Sequence, residues 1–279
     1  ALARAKINAP QLFTELALQA RQKIQSFRPK DIAGIAWVFS EAGLRDQGLF
    51  EDLVIQARQK IEIFSALELV DTDNAFKHIG IRDESLLKVM KLRIESFEPE
   101  DIVKGARAYA DLLAYASWTD DPSTLELISA FIGVARQKIE SFNPVDISEA
   151  ISAFYGVCEH NDTLAKEEKE EFMTAFLTRA SQMIQSFEAE ELAETAQTVG
   201  SIRSSTDLCI PDTDFLTAVA IQVKQKIESF SPLDLVKTAD AFINCEIADQ
   251  ELLEVMACQI ESYSPKDLCK IADAFYEMG

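Results

Sequence analysis

The sequence is poor in the residues that build most active sites. Histidine occurs twice in 279 residues, at His78 and His160, and neither has a cysteine or second histidine at ligand spacing, which argues against a zinc site of the usual kinds. No glycine-rich phosphate loop, nucleophile elbow or His-Glu-x-x-His motif is present. The carboxylates that remain as candidates for acid–base work follow the phase of a repeat and read as solvated helix faces. The expectation is a protein that is not an enzyme and needs no cofactor or metal. The five cysteines are an odd number and form no Cys-x-x-Cys pair, so they read as reduced thiols in a non-secretory compartment. No run of 18 apolar residues and no signal peptide is visible, so contact with a membrane complex would be peripheral. Basic charge is also in deficit. Against 47 acidic residues stand 27 basic ones, a net charge of −20, which repels nucleic-acid backbones and anionic lipid and attracts basic protein surfaces. Glycine (9) and proline (8) are too few for a disordered chain, and 48% apolar residues supply a core.

What the chain has is repetition. The stretch Ala135-Arg-Gln-Lys-Ile-Glu-Ser-Phe-Asn-Pro-Val-Asp-Ile147 recurs in seven versions. With the aromatic of its Ser-Phe pair as position zero, the copies centre on Phe27, Phe64, Phe97, Phe142, Phe187, Phe230 and Tyr263, 33 to 45 residues apart. These spacings suit helical-pair repeats. Isoleucine stands three before in every copy, Ile or Leu five after in every copy, and an aromatic twelve after in six copies, with Val199 the exception.

Each unit predicts two helices. In the first copy Phe13, Leu16, Ala20, Ile24 and Phe27 make one apolar stripe, with position zero ending the helix. A proline two residues later (Pro29, Pro99, Pro144, Pro232, Pro265) starts the second helix at its first turn, and an acid two further on (Asp31, Asp101, Asp146, Asp234, Asp267) suits that turn's free N–H groups. Asn143, Ser231 and Ser264 complete a capping-box pattern; copies two and five lose the proline but keep Glu68 and Glu191. Small residues such as Ala36, Ala106, Ala196, Ala239 and Ala272 sit between the apolar positions of the second helix, and Gly43, Gly80 and Gly279 close it at position +16. The predicted fold is all-α, an α-solenoid of about seven helix-turn-helix repeats of 33–45 residues forming one domain over 1–279. Excess length in copies three to five is expected in connections around 117–124, 159–171 and 201–214, on one edge of the array.

Two surface features are candidates for function. Arg21, Arg58, Lys91, Arg136 and Lys224 stand six before position zero, and Lys23, Lys60, Arg93, Lys138 and Lys226 four before, so ten of the 27 basic residues fall at two repeat positions. Such a stripe suits an RNA backbone or a partner protein; it equally suits dipole compensation and pairing with neighbouring acids. Position +10 varies freely (Trp37, Asn74, Arg107, Ser152, Gln197, Asp240, Asp273), as a readout surface or a merely exposed one would. Trp37 and Trp118 are the candidates for stacking on bases.

The unit Ser-Phe-x-Pro-x-Asp-Ile/Leu followed by a small-residue helix and Ala-Phe, as in residues 26–39 and 229–242, resembles the octotricopeptide-like helical repeats found beside RAP domains, including those of FAST-kinase-like proteins. The likeness covers essentially the whole chain and marks a scaffold. It implies an organellar protein, mitochondrial or plastid, soluble or peripheral, of a kind that usually binds RNA, although this chain lacks the expected basic groove. The leading expectation is a non-catalytic scaffold or accessory subunit making protein–protein contacts in an organellar assembly: a photosynthetic or respiratory membrane complex, or a ribosome-like particle. The alternative is an organellar RNA-binding factor using the basic stripe.

Overall fold

Capped, periodic apolar segments of eight to seventeen residues fold as helices, and the described residues contain thirteen α-helices and no strand. The computed structural model describes residues 10–115, 122–160, 164–259 and individual positions from 261 to 276. Trp118, Ile260, Asp267, Asp273, Phe275 and Gly279 lie outside the described residues. The first helices of the pairs are α1 (Pro10–Lys23), α3 (Gln47–Lys60), α5 (Glu84–Arg93), α7 (Pro122–Gln137), α9 (Lys166–Gln182), α11 (Asp212–Lys226) and α13 (Gln250–Ala257). The second helices are α2 (Pro29–Glu41), α4 (Ala66–His78), α6 (Pro99–Tyr115), α8 (Pro144–His160), α10 (Ala189–Ser205) and α12 (Pro232–Asn244).

The chain divides into two compact units, Ala1–Val134 and Ala135–Gly279. In the first, α2, α4 and α6 lie side by side and α1 packs on α3; in the second, α8, α10 and α12 form one row and α9, α11 and α13 another. Each unit is therefore a stack of helical hairpins, as the repeat predicts. Rows of second helices approach closely. A Cβ added at Gly200 would stand 2.7 Å from the Ala241 Cα, so α10 meets α12 where only glycine fits.

The end of the first helix differs from the expected form. In the first copy the α-helix stops four residues before position zero, a single 3₁₀ turn follows (Ile24–Ser26), and the aromatic is extended, with φ −66° and ψ 132° at Phe27. The serine of the Ser-Phe pair adds a bond to this turn, although copy two forms the same turn at Ile61–Ile63 without one. Its hydroxyl donates back to the carbonyl of residue −4: Ser26 to Lys23 at 2.7 Å, Ser96 to Arg93 at 2.6 Å, Ser186 to Met183 at 2.8 Å and Ser229 to Lys226 at 2.7 Å. The residue before a proline is itself driven to extended backbone, as Arg28 is (φ −81°, ψ 165°), so the turn redirects the chain straight into α2.

Helix starts are capped as expected. Ser231 and Asp234 form a reciprocal box, the Ser231 N–H donating to Asp234 Oδ2 at 3.0 Å and the Asp234 N–H to Ser231 Oγ at 3.3 Å. Asn143 and Asp146 do the same. The copies without proline keep the box: the Ser65 N–H donates to Glu68 at 2.8 Å and the Glu188 N–H to Glu191 at 2.6 Å, and the Ser65 and Glu188 side chains accept in return from the Glu68 and Glu191 N–H groups. Gly43 (φ +67°) and Gly80 (φ +85°) take left-handed backbone after α2 and α4, and the Leu44 and Ile81 N–H groups reach back to the Phe39 and Phe76 carbonyls. Glu246 occupies the same slot after α12 at φ 55°.

The excess length of the longer copies is placed differently from expectation. The second helices α6, α8 and α10 run 17 residues, against 13 in α2, α4 and α12, so about one added helical turn absorbs four of the extra residues. The connection after α10 is anchored as well: Leu208 and Ile210 are buried, Lys166 pairs with Asp207 at 2.9 Å, and the Cys209 N–H donates to Glu170 at 2.7 Å.

Candidate interaction surfaces

The two basic positions serve as links between hairpins. The cation at −6 points forward, to an acid in the opening turns of the next first helix. Arg21 pairs with Asp52 at 2.8 Å and Arg58 with the buried Asp83 at 2.9 Å; Lys224 meets Asp249 at 3.0 Å and Glu251 at 2.8 Å; Lys91 pairs with Glu126 and Arg136 with Glu171. Asp83 is doubly used, since its other carboxylate oxygen caps α5 at the Ser85 and Leu86 N–H groups. The cation at −4 points backward and donates to backbone carbonyls of the preceding turn. Lys60 reaches the Gln25 carbonyl at 2.9 Å and that of Phe27, Arg93 the Phe64 carbonyl at 2.6 Å, and Lys226 those of Gln185 at 2.9 Å and Phe187 at 3.2 Å. These carbonyls are left free when a helix ends. Lys138 is half-buried at the mouth of its own 3₁₀ turn. Lys23, in the first copy, is exposed with no partner among the described residues.

Copy five breaks the stripe with Ser181 and Met183, yet keeps the backward link by another route. Arg179, two turns before position zero, donates to the Glu140 carbonyl at 3.2 Å and pairs with the Glu140 carboxylate at 3.0 Å. Charge responds to these contacts. The Arg21 pKa is raised by its hydrogen bond to Asp52; at Lys224, burial works to lower the pKa, but hydrogen bonds to Glu251 and Asp249 outweigh it.

Position +10 is exposed at Trp37, Arg107, Ser152 and Gln197 and buried at Asn74. In the first unit Trp37, Asn74 and Arg107 share one groove of about 390 Å³ with Asp71, Lys104 and Asp111. Trp37 stands edge-on to His78, ring centres 5.8 Å apart. Burial raises the Asp71 pKa, with Lys104 working against it. Beneath this groove lies a buried polar cluster. Tyr109 donates from its hydroxyl to Asp73 at 2.6 Å, and the Lys77 ammonium lies 2.8 Å from the same carboxylate and 4.7 Å over the Tyr109 ring centre. All three side chains are fully enclosed. The ammonium is poorly aligned on the carboxylate, so Lys77 Nζ and Asp73 Oδ1 lack hydrogen-bond partners. Burial, then the Asp73 charge, drives the Tyr109 pKa well above its ordinary value.

Among the described residues no three of His, Cys, Asp and Glu are grouped as metal ligands, and no helix is long and apolar enough to cross a membrane. All five cysteines are free. No protein-family model matches the chain, and no curated protein matches its sequence. The likeness to octotricopeptide-like repeats accordingly rests on the repeat's own residues.

Proposed function

We propose that the protein is a non-catalytic helical-repeat scaffold, an accessory subunit whose exposed helix faces make protein–protein contacts in an organellar assembly. One observation carries this reading: at least eight of the ten periodic cations are engaged between hairpins, as ion pairs or carbonyl caps. With those charges committed internally, the outward balance of a chain at −20 is acidic, which suits a basic protein surface and opposes a phosphate backbone. The organelle follows from the motif's resemblance alone.

The test is the native size of the endogenous protein in a gentle organelle extract, with and without RNase. A large particle that survives RNase, with protein neighbours identified by crosslinking, is the expected result. Collapse to the free 31.1 kDa chain on RNase treatment would overturn it in favour of RNA binding. Migration as the free chain in both samples would remove the assembly altogether.

A further inference from the structure

Position +7 of the second helices is used differently in the two units. In the second, Glu194 on α10 pairs with Lys237 on α12 at 3.3 Å, one +7 residue with the next. In the first, the same positions hold Asp71 on α4 and Lys104 on α6, but Lys104 pairs with Glu100, one turn back on its own helix. Asp71 is left half-buried, with no ion pair or hydrogen bond among the described residues, and burial pushes its pKa up. A carboxylate held in this way is costly until a cation reaches it from elsewhere.

Two more groups in the same groove await a partner. Asn74, one turn on from Asp71, lines the groove at only 4% exposure, and its Oδ1 has no hydrogen-bond partner. Asparagine is a poor helix former, and a buried amide without a partner is destabilising, so neither the helix nor the core accounts for it. Its terminal torsion is soft, so the oxygen can turn to a donor entering the groove. Trp37 on α2 is 37% exposed and is flanked by His78, the two ring planes at 86°. Leu67 and Ala108 add apolar wall, and Asp111 adds a second, exposed carboxylate.

We infer that this groove over α2, α4 and α6 is a binding site for an arginine side chain presented by a basic partner protein. The guanidinium sets its fork of donors on Asp71 and the Asn74 oxygen and its plane against the Trp37 indole, while its methylene stem lies along Leu67 and Ala108. Lysine fits less well, because a single ammonium cannot serve two acceptors and stack on a ring at once. A nucleotide would also stack on Trp37, but its phosphate would meet Asp71, Asp111 and Glu100. Arg107, exposed on the rim, separates the two ligands, since its charge opposes a guanidinium and favours a phosphate. The inference deepens the scaffold reading and rests on it for the basic partner surface.

The test is a titration of the isotope-labelled full chain with the peptide acetyl-Gly-Arg-Gly-amide, followed at the Trp37 indole N–H and the Asn74 side-chain amide by NMR. Saturable shifts at both are expected, with the lysine and citrulline peptides binding at least about fivefold more weakly. Asp71→Asn should weaken arginine binding about tenfold, as loss of a hydrogen bond to a charged group does, and Arg107→Ala should tighten it about twofold. No saturable shift, equal binding of the lysine peptide, unchanged affinity in Asp71→Asn or weaker binding in Arg107→Ala would each overturn the inference. The comparison of the three peptides needs no variant, so it decides the matter even if Asp71→Asn does not fold. An oligouridylate RNA titrated in the same way should leave the two signals unshifted; saturation that Arg107→Ala weakens would overturn the inference in favour of nucleic acid. A failed titration strikes the groove and leaves the scaffold reading standing, whereas collapse of the native particle on RNase treatment strikes the scaffold and leaves the groove to be judged by the peptides.

Discussion

Lys77→Met is the most informative single change. In wild type the Lys77 ammonium and Asp73 carboxylate are fully enclosed, 2.8 Å apart, with Tyr109 donating to the same carboxylate at 2.6 Å. Methionine fills the lysine's aliphatic volume but leaves Asp73 as a buried charge with one hydroxyl donor. Breaking a buried pair from one side costs about 3–5 kcal/mol, because the stranded charge has neither water nor counterion. Asp73→Ala alone should cost a similar amount by stranding the ammonium. The triple variant Asp73→Ala/Lys77→Met/Tyr109→Phe replaces the whole cluster with apolar groups, and should fall within about 1 kcal/mol of wild type or above it. The single losses would then be non-additive by about 3 kcal/mol or more, as contacting residues allow. Urea unfolding followed by tryptophan fluorescence and by helical circular dichroism measures this, since Trp37 lies against His78 beside the cluster. A loss below ~1 kcal/mol for Lys77→Met, or losses that simply add in the triple variant, would refute the picture of an enclosed, mutually dependent pair.

The other predictions concern the repeat itself. Phe142→Ala should cost about 3–5 kcal/mol, since the ring is buried against Phe176; a loss under ~1 kcal/mol in the same assay would contradict its place in the core. Lys226→Ala, which uncaps two carbonyls, should cost about 1–2 kcal/mol and Lys91→Ala under ~1 kcal/mol, with only the latter fading in 1 M salt. Glu246→Gly should stabilise by about 1 kcal/mol by relieving left-handed backbone and removing an acid from a helix C-terminus; a melting temperature at or below wild type would count against it. Cys209, Cys258 and Cys269 should label rapidly with a thiol reagent at pH 8 and Cys158 and Cys245 slowly, because burial pushes the last two up to about 11. The sign follows: the unfolded state loses these thiol protons first, so they subtract stability as pH rises from about 9 towards 11 and contribute nothing below.

Much of this architecture is legible in the residues because one pattern is written seven times. Position zero, the proline, the capping acid and the closing glycine each announce a local backbone event that short-range physics decides. The partners of Arg58 or Lys226 are not legible, because they depend on which residue of a neighbouring hairpin arrives opposite, and the forward acid sits at −16, −14 or −12 in different copies. The buried cluster did leave a trace. Asp73 stands at +9, a position of small residues in five other copies, and Tyr109 is the only one of the six +12 aromatics with a hydroxyl. Two departures in adjacent copies, each costly alone, signal that they answer one another.

The two kinds of link between hairpins constrain inheritance differently. A forward cation needs a carboxylate in its neighbour, so those two positions must change together. A backward cation needs only a peptide carbonyl, which every residue provides. A hairpin carrying it can therefore follow any predecessor, whatever its side chains, and Arg179 shows that the cation itself can migrate by a turn. An array joined through backbone in this way is free to diversify its outer faces copy by copy while its adhesion is maintained.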